Sequence, residues 1–149
     1  MAEITRQQLV LALIPAGESP RLAGLDLNAL DMTRLSLEGA NLRGAKMQGA
    51  ILKEAILRSS NMTGVDATTA QMAYADFNNA ILNVANLTGA NLQGARLTGA
   101  NLTNAVLNSA NLQGAVLTGA NLSGVKFDDK TVWPDGKKGN AGDPISYTK

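Results

Sequence analysis

Residues 85–99 read ANLTGANLQGARLTG, three consecutive copies of a five-residue unit. The same register extends far in both directions. Every fifth position from Leu22 to Phe127 is Leu, Met or Phe, with Ala67 as the one departure. Two residues before most of these stands a small residue, Ala40, Ala45, Ala50, Ala55, Ser60 and then Ala from Ala70 to Ala120. Two residues after it Gly is favoured, as at Gly39, Gly44, Gly49, Gly89, Gly94, Gly99 and Gly124.

A period of five suits neither regular element. On an α-helix, residues five apart point about 140° away from each other. On a continuous strand an odd spacing sends alternate side chains to opposite faces. The chain must therefore turn once per repeat to return each Leu to the inside. Within a repeat the small residue and the Leu, two apart, share the inward face of a short extended segment. The polar residues beside the Leu then point outward, and the Gly falls at the corner, where a permissive backbone is useful. The expected fold is an all-β solenoid with a filled, aliphatic interior.

The charges suggest the length of one coil. Stacked strands lie about 4.8 Å apart, so side chains one coil apart are neighbours. Between Arg21 and Asp128, the charged pairs at a spacing of twenty residues are Asp26–Lys46, Lys46–Asp66, Arg34–Glu54, Glu38–Arg58 and Asp76–Arg96, all of opposite sign. A spacing of fifteen opposes Arg43 with Arg58, and twenty-five opposes Arg21 with Lys46. Four repeats per coil is the consistent choice, giving about five coils and a rod roughly 25 Å long. These pairs are expected to be exposed and worth about 0–1 kcal/mol each. In the repeat 65–69 the small and large positions exchange volume, with Val65 and Ala67, as a close-packed interior requires. In the first coil Leu25, Leu30 and Leu35 occupy the small position, which suits a coil facing a cap.

At this point the tandem motif A-N-L-x-G, seen in ANLRG, ANLTG, ANLQG and ANLSG, resembles the pentapeptide-repeat family, A-(D/N)-L-x-x, over residues 21–128. The resemblance implies a right-handed quadrilateral β-helix. The closing segment KTVWPDG resembles the tails of cyanobacterial members. Some family members regulate cyanobacterial cell differentiation through protein contacts. Others, the quinolone-resistance members, are acidic rods that bind DNA gyrase in place of DNA.

The ends of such a rod need covers. Residues 1–20 are expected to form an N-terminal helical cap around a helix at 4–14. Thr5 and Gln8 suit a capping box and Ile4 and Leu9 a hydrophobic staple; Leu9, Val10, Leu13 and Ile14 would face the first coil, and Pro15 and Gly17 would stop the helix. Residues 21–128 form the β-helix. Residues 129–149 are expected to be a C-terminal cap followed, from Gly136, by a mobile tail.

Composition narrows function. The 149 residues include no Cys and no His, so thiolate chemistry and the commonest general base and metal ligand are missing. The net charge of +1 is too small to gather nucleic acid and is not the acidity of a DNA mimic. The stretch from Phe77 to Val125 carries one charge, Arg96. The opening MAEITRQQ lacks a positive n-region and its apolar stretch is short, so the chain is read as cytoplasmic, with no membrane partner. Catalytic residues, metal and cofactor are each expected to be none. Asp128, Asp129 and Asp135 could surround a cation, but Lys130 stands among them. The file Asn41, Asn61, Asn101, Asn121 is read as a hydrogen-bonded surface ladder, and the scattered Thr residues form no uniform ice-binding array.

What remains is a non-enzymatic scaffold for an unknown protein partner, as a monomer or a weak homodimer through a solenoid end. The candidate contacts are Arg43 and Lys53, which lack an opposite charge one coil away, with the aromatic residues Tyr74 and Trp133. Trp133 also suits a plug over Phe127. The register itself makes a prediction: Leu97→Ala should cost about 2–5 kcal/mol by opening a cavity, and Thr98→Ala less than about 0.5 kcal/mol. Urea melts of the two variants check it; equal costs would sink the five-residue register.

Overall fold

The computed structural model describes residues 4–13 and 19–149. Parallel bridges join residues twenty apart along the whole solenoid, from Arg21 with Asn41 to Val106 with Lys126. Each repeat contributes the same coil-to-coil bonds. The amide of Leu42 donates to the carbonyl of Asn61 at 2.8 Å, that of Gly44 to Thr63 at 2.9 Å, and that of Asn41 back to Pro20 at 2.8 Å. The large and small inward positions line one continuous core, with Val65 and Ala67 both wholly buried.

Every repeat also closes on itself. The amide of Ala45 donates to the carbonyl of Leu42 at 2.9 Å, and this bond recurs repeat after repeat. The turn's third residue is left-handed at each fifth position from Gly24 to Gly124, whether it is Gly94 (φ 64°) or Val84 (φ 50°). A positive φ there and not at the residue before defines a type II turn. Ten corners hold non-glycine residues, and β-branched Val84 is the most strained type for this conformation. At several corners a large side chain lies over a glycine one coil further on. A Cβ at Gly94 would stand 2.5 Å from the Tyr74 ring, and one at Gly99 2.5 Å from Asn79 Oδ1.

The Asn file does not form the expected ladder. Asn41, Asn61, Asn101 and Asn121 each accept, through Oδ1, the amide two residues on, at 3.0–3.2 Å. Asp26, Asp31, Asp66 and Asp76 do the same. That amide is the second residue of the type II turn and joins no coil-to-coil bond, so a side chain two residues earlier is its nearest acceptor. After Lys46 and Arg96, which cannot accept, Asn28 and Asn78 from the coil before supply the oxygen to Gln48 and Thr98.

Helix α1, Arg6–Leu13, lies at the N-terminal end. Thr5 and Gln8 make the reciprocal capping box at 2.7 and 3.2 Å. Leu9 is wholly buried, and Ile4 and Leu13 pack on the core. Ile14, Pro15 and Gly17 lie outside the described residues. Arg6 does a task the sequence did not suggest. Its guanidinium donates to the carbonyls of Asp31 and Thr33 at 2.6 and 2.9 Å, the acceptors a preceding coil would otherwise occupy.

At the other end the ladder runs past residue 128. One extra residue lets Val132 pair with Asn111, and Trp133 drops into the inward position. Asp128 stands where the extra residue breaks the pattern. Its carboxylate accepts from Ser109 N, Ser109 Oγ and Lys130 N at 2.7, 2.8 and 3.0 Å, replacing a missing backbone carbonyl. Partial desolvation raises the Asp128 pKa, but these donors and Thr131 outweigh it and hold it at about 2. The carboxylate is thus saturated by the protein's own donors. Residues 136–149, expected to be mobile, are folded over the end. Short 3-10 turns at Gly139–Ala141 and Pro144–Thr148 bring the Thr148 carbonyl to the Gly119 amide at 2.7 Å. Tyr147 donates to Asp135 at 2.8 Å; partial burial of its hydroxyl, with this bond and the Asp135 charge, pushes its pKa up to about 12.

The uniform corner predicts opposite outcomes for exchanges at two positions. Gly94→Ala meets both a left-handed φ and the Tyr74 ring and should cost about 1–3 kcal/mol, while Val84→Gly, at an exposed corner, should be stabilising by up to about 1 kcal/mol. Thermal melts of both variants test this; a neutral Gly94→Ala would overturn the turn assignment.

Candidate interaction surface

The four sequence candidates do not come together. Trp133 is wholly buried, so it is a plug and not a surface contact. Its ring meets Phe127 edge-on at 5.1 Å and stacks on Tyr147 at 5.9 Å, and its indole N–H donates to the Gly139 carbonyl at 2.9 Å. Arg43 is exposed but stands half a coil, ten residues, from the column that holds Lys53. Lys53 and Tyr74 do share a corner on adjacent coils, because Ile51 bridges to Gln71. Tyr74 is 56% exposed, and Ile51, on the face just before that corner and one coil back, is also exposed.

The charged pairs depart from expectation in an informative way. Arg34 pairs with Glu54 at 2.8 Å and Arg96 with Asp76 at 2.8 Å, both across one coil as expected. Among the described residues no ion pair joins Asp26 to Lys46, Lys46 to Asp66, or Glu38 to Arg58. Asp26 and Asp66 are engaged by turn amides, and Asp66 also by Gln48 at 2.7 Å. Arg58 turns to Asp76 instead, at 2.6 Å.

Asp76 is consequently the centre of a three-coil cluster that sequence reasoning missed. Its side chain is 2% exposed, against 46% for Arg58 and 56% for Arg96. Oδ2 accepts from both guanidinium groups, and Oδ1 from the Asn78 amide at 3.1 Å. Burial on its own would raise the Asp76 pKa. The bonds from Arg58 and Asn78 and the two positive charges prevail and hold it below the ordinary 3.8. Spacing by twenty found Asp76–Arg96, but the link to Arg58, eighteen residues back, comes from the diagonal reach of an arginine.

The family match and two cyanobacterial solved structures agree with this architecture. The pentapeptide repeats family model matches eight copies over residues 21–58, 52–83 and 85–124, and the chain belongs to that family. A crystal structure of a pentapeptide repeat protein from the cyanobacterium Cyanothece 51142 is 28% identical, with TM-score 0.76 over 84% of this chain and 99% of that one. HetL from Nostoc sp. strain PCC 7120, a pentapeptide repeat protein involved in heterocyst differentiation regulation, is 29% identical with TM-score 0.59; the match covers 80% of this chain and 62% of HetL. QnrB1, a plasmid-mediated fluoroquinolone resistance protein, is 20% identical with TM-score 0.32 over 76% of this chain and 84% of that one. No curated protein is detectably similar. Among the described residues no helix is long and apolar enough to cross a membrane.

The low pKa of Asp76 gives stability a pH dependence of known sign. A carboxylate whose pKa falls on folding stabilises fully above its unfolded value, about 3.9, and loses that contribution as pH drops through the folded value. Wild-type unfolding free energy should therefore fall below about pH 4. Asp76→Asn should be less stable at pH 7 by about 1–3 kcal/mol and show a shallower acid limb. Urea titrations at several pH values check both; parallel acid limbs would contradict the assignment.

Proposed function

We propose that this chain is a non-enzymatic interaction scaffold, a right-handed β-helix of about five coils closed by α1 and by the C-terminal tail, that presents one corner to a protein partner. The observation that carries the reading is the exposed group Ile51, Lys53 and Tyr74, held on neighbouring coils. Aromatic side chains such as Tyr are enriched at the centres of protein interfaces, while charged residues such as Lys belong to the polar rim. The stacked backbone fixes their spacing before a partner arrives, which lowers the ordering cost of binding. HetL, a similar solenoid, is involved in heterocyst differentiation regulation, and a regulatory role is compatible with the scaffold reading. Gyrase mimicry draws no support from a chain of net charge +1. On this reading the protein works in the cytoplasm, as a monomer or a weak homodimer through a solenoid end.

Affinity capture from the native lysate tests this. Wild-type protein should retain a defined protein that is lost with Tyr74→Ala combined with Lys53→Glu, while Arg43→Glu retains it. Equal capture by all three would refute the corner as the interface.

A further inference from the structure

The cluster at Asp76 does more than join three coils. Each guanidinium spends one N–H on the buried carboxylate, and the described residues show no other hydrogen bond from either. The remaining donors of Arg58 and Arg96 face solvent on either side of Asp76, on coils two apart and so about 10 Å apart at the backbone. Asp76 thus removes rotamer freedom from two long side chains while leaving their forks available. The cluster lies on the face after the Tyr74 corner, since Ile56 bridges to Asp76 and Asp76 to Arg96.

We propose that Arg58 and Arg96, held in place by Asp76, receive carboxylate side chains from an acidic segment of the protein partner. Arginine forks match carboxylates in planar, paired geometry. Carboxylate is favoured over a nucleic-acid backbone because Asp76 itself and Glu38, whose charge acts on Arg58, keep the local field from becoming strongly positive. A single carboxylate fits two fixed forks without needing such a field. This inference deepens the scaffold reading and rests on it.

The probe is a short peptide of consecutive glutamates, titrated into the full-length, isotope-labelled protein at low salt and followed by NMR. Saturable shifts should centre on Arg58, Asn78, Arg96 and Thr98. Asp76→Asn should bind roughly fivefold or more weakly, because two arginines lose their ordering, even though the substitution makes the protein more positive. Arg96→Lys, which keeps the charge and can still meet Asp76, should weaken binding similarly by removing the fork; it carries the test if Asp76→Asn fails to fold. The proposal is overturned if no saturable shift occurs, if both variants bind as tightly as wild type, or if inorganic phosphate or a DNA duplex saturates the same signals more tightly than the peptide. Peptide binding at this site alongside indiscriminate capture from lysate would refute the corner interface and leave the carboxylate site standing. Specific capture without peptide binding would refute the site alone.

Discussion

Everything in this protein depends on the type II turn at each fifth residue. Because each repeat bends by the same amount, four repeats bring the chain back over itself and every coil-to-coil bond finds its partner twenty residues away. The turn explains the composition more fully than packing does. Glycine is frequent at the third turn position since a left-handed φ costs an L-residue about 1–2 kcal/mol. Asn and Asp are frequent before the Leu since their oxygen satisfies the turn amide that the ladder leaves over. Where neither applies, neighbouring coils compensate, as Asn28 does for Gln48.

A solenoid with strict translational order has difficulty only at its ends and at its irregular repeats. Both ends use the same physical device, a side chain or carbonyl placed where the next coil's backbone would be. Arg6 supplies donors at the start, and Asp128 and Thr148 supply acceptors at the finish. Buried aromatic area at Trp133 then closes the last coil. These substitutions matter because an unpaired strand edge invites association with other chains.

The same regularity suits a binding role. Outward positions on a stacked lattice vary freely, provided the inward ones keep their volume, so chemistry can be written on one corner without disturbing the fold. Tyr74, Lys53 and the Arg58–Asp76–Arg96 cluster occupy such positions. The cost of this design falls on local strain, visible at Tyr74 itself, whose φ of 60° is tolerated beside Gly94.

The sequence by itself determined the inward register, the corner at the glycine position, the twenty-residue coil and the start of the helix at Thr5. Each follows from short-range rules, because periodicity, turn chemistry and capping act within a few residues or repeat at a constant interval. The tertiary structure alone decided three further matters. Asp76, expected to be an exposed partner of Arg96, is buried, since an arginine on the coil before reaches diagonally across it. The tail of residues 136–149, expected to be mobile, folds onto the last coil around Trp133, which takes the plug position over Phe127 that the sequence had offered it, by way of a one-residue insertion. Arg43 and Lys53 look alike in sequence, but ten residues is half a coil, so only Lys53 stands with Tyr74. These outcomes depend on side-chain reach and on breaks in the repeat, which a periodic reading cannot see.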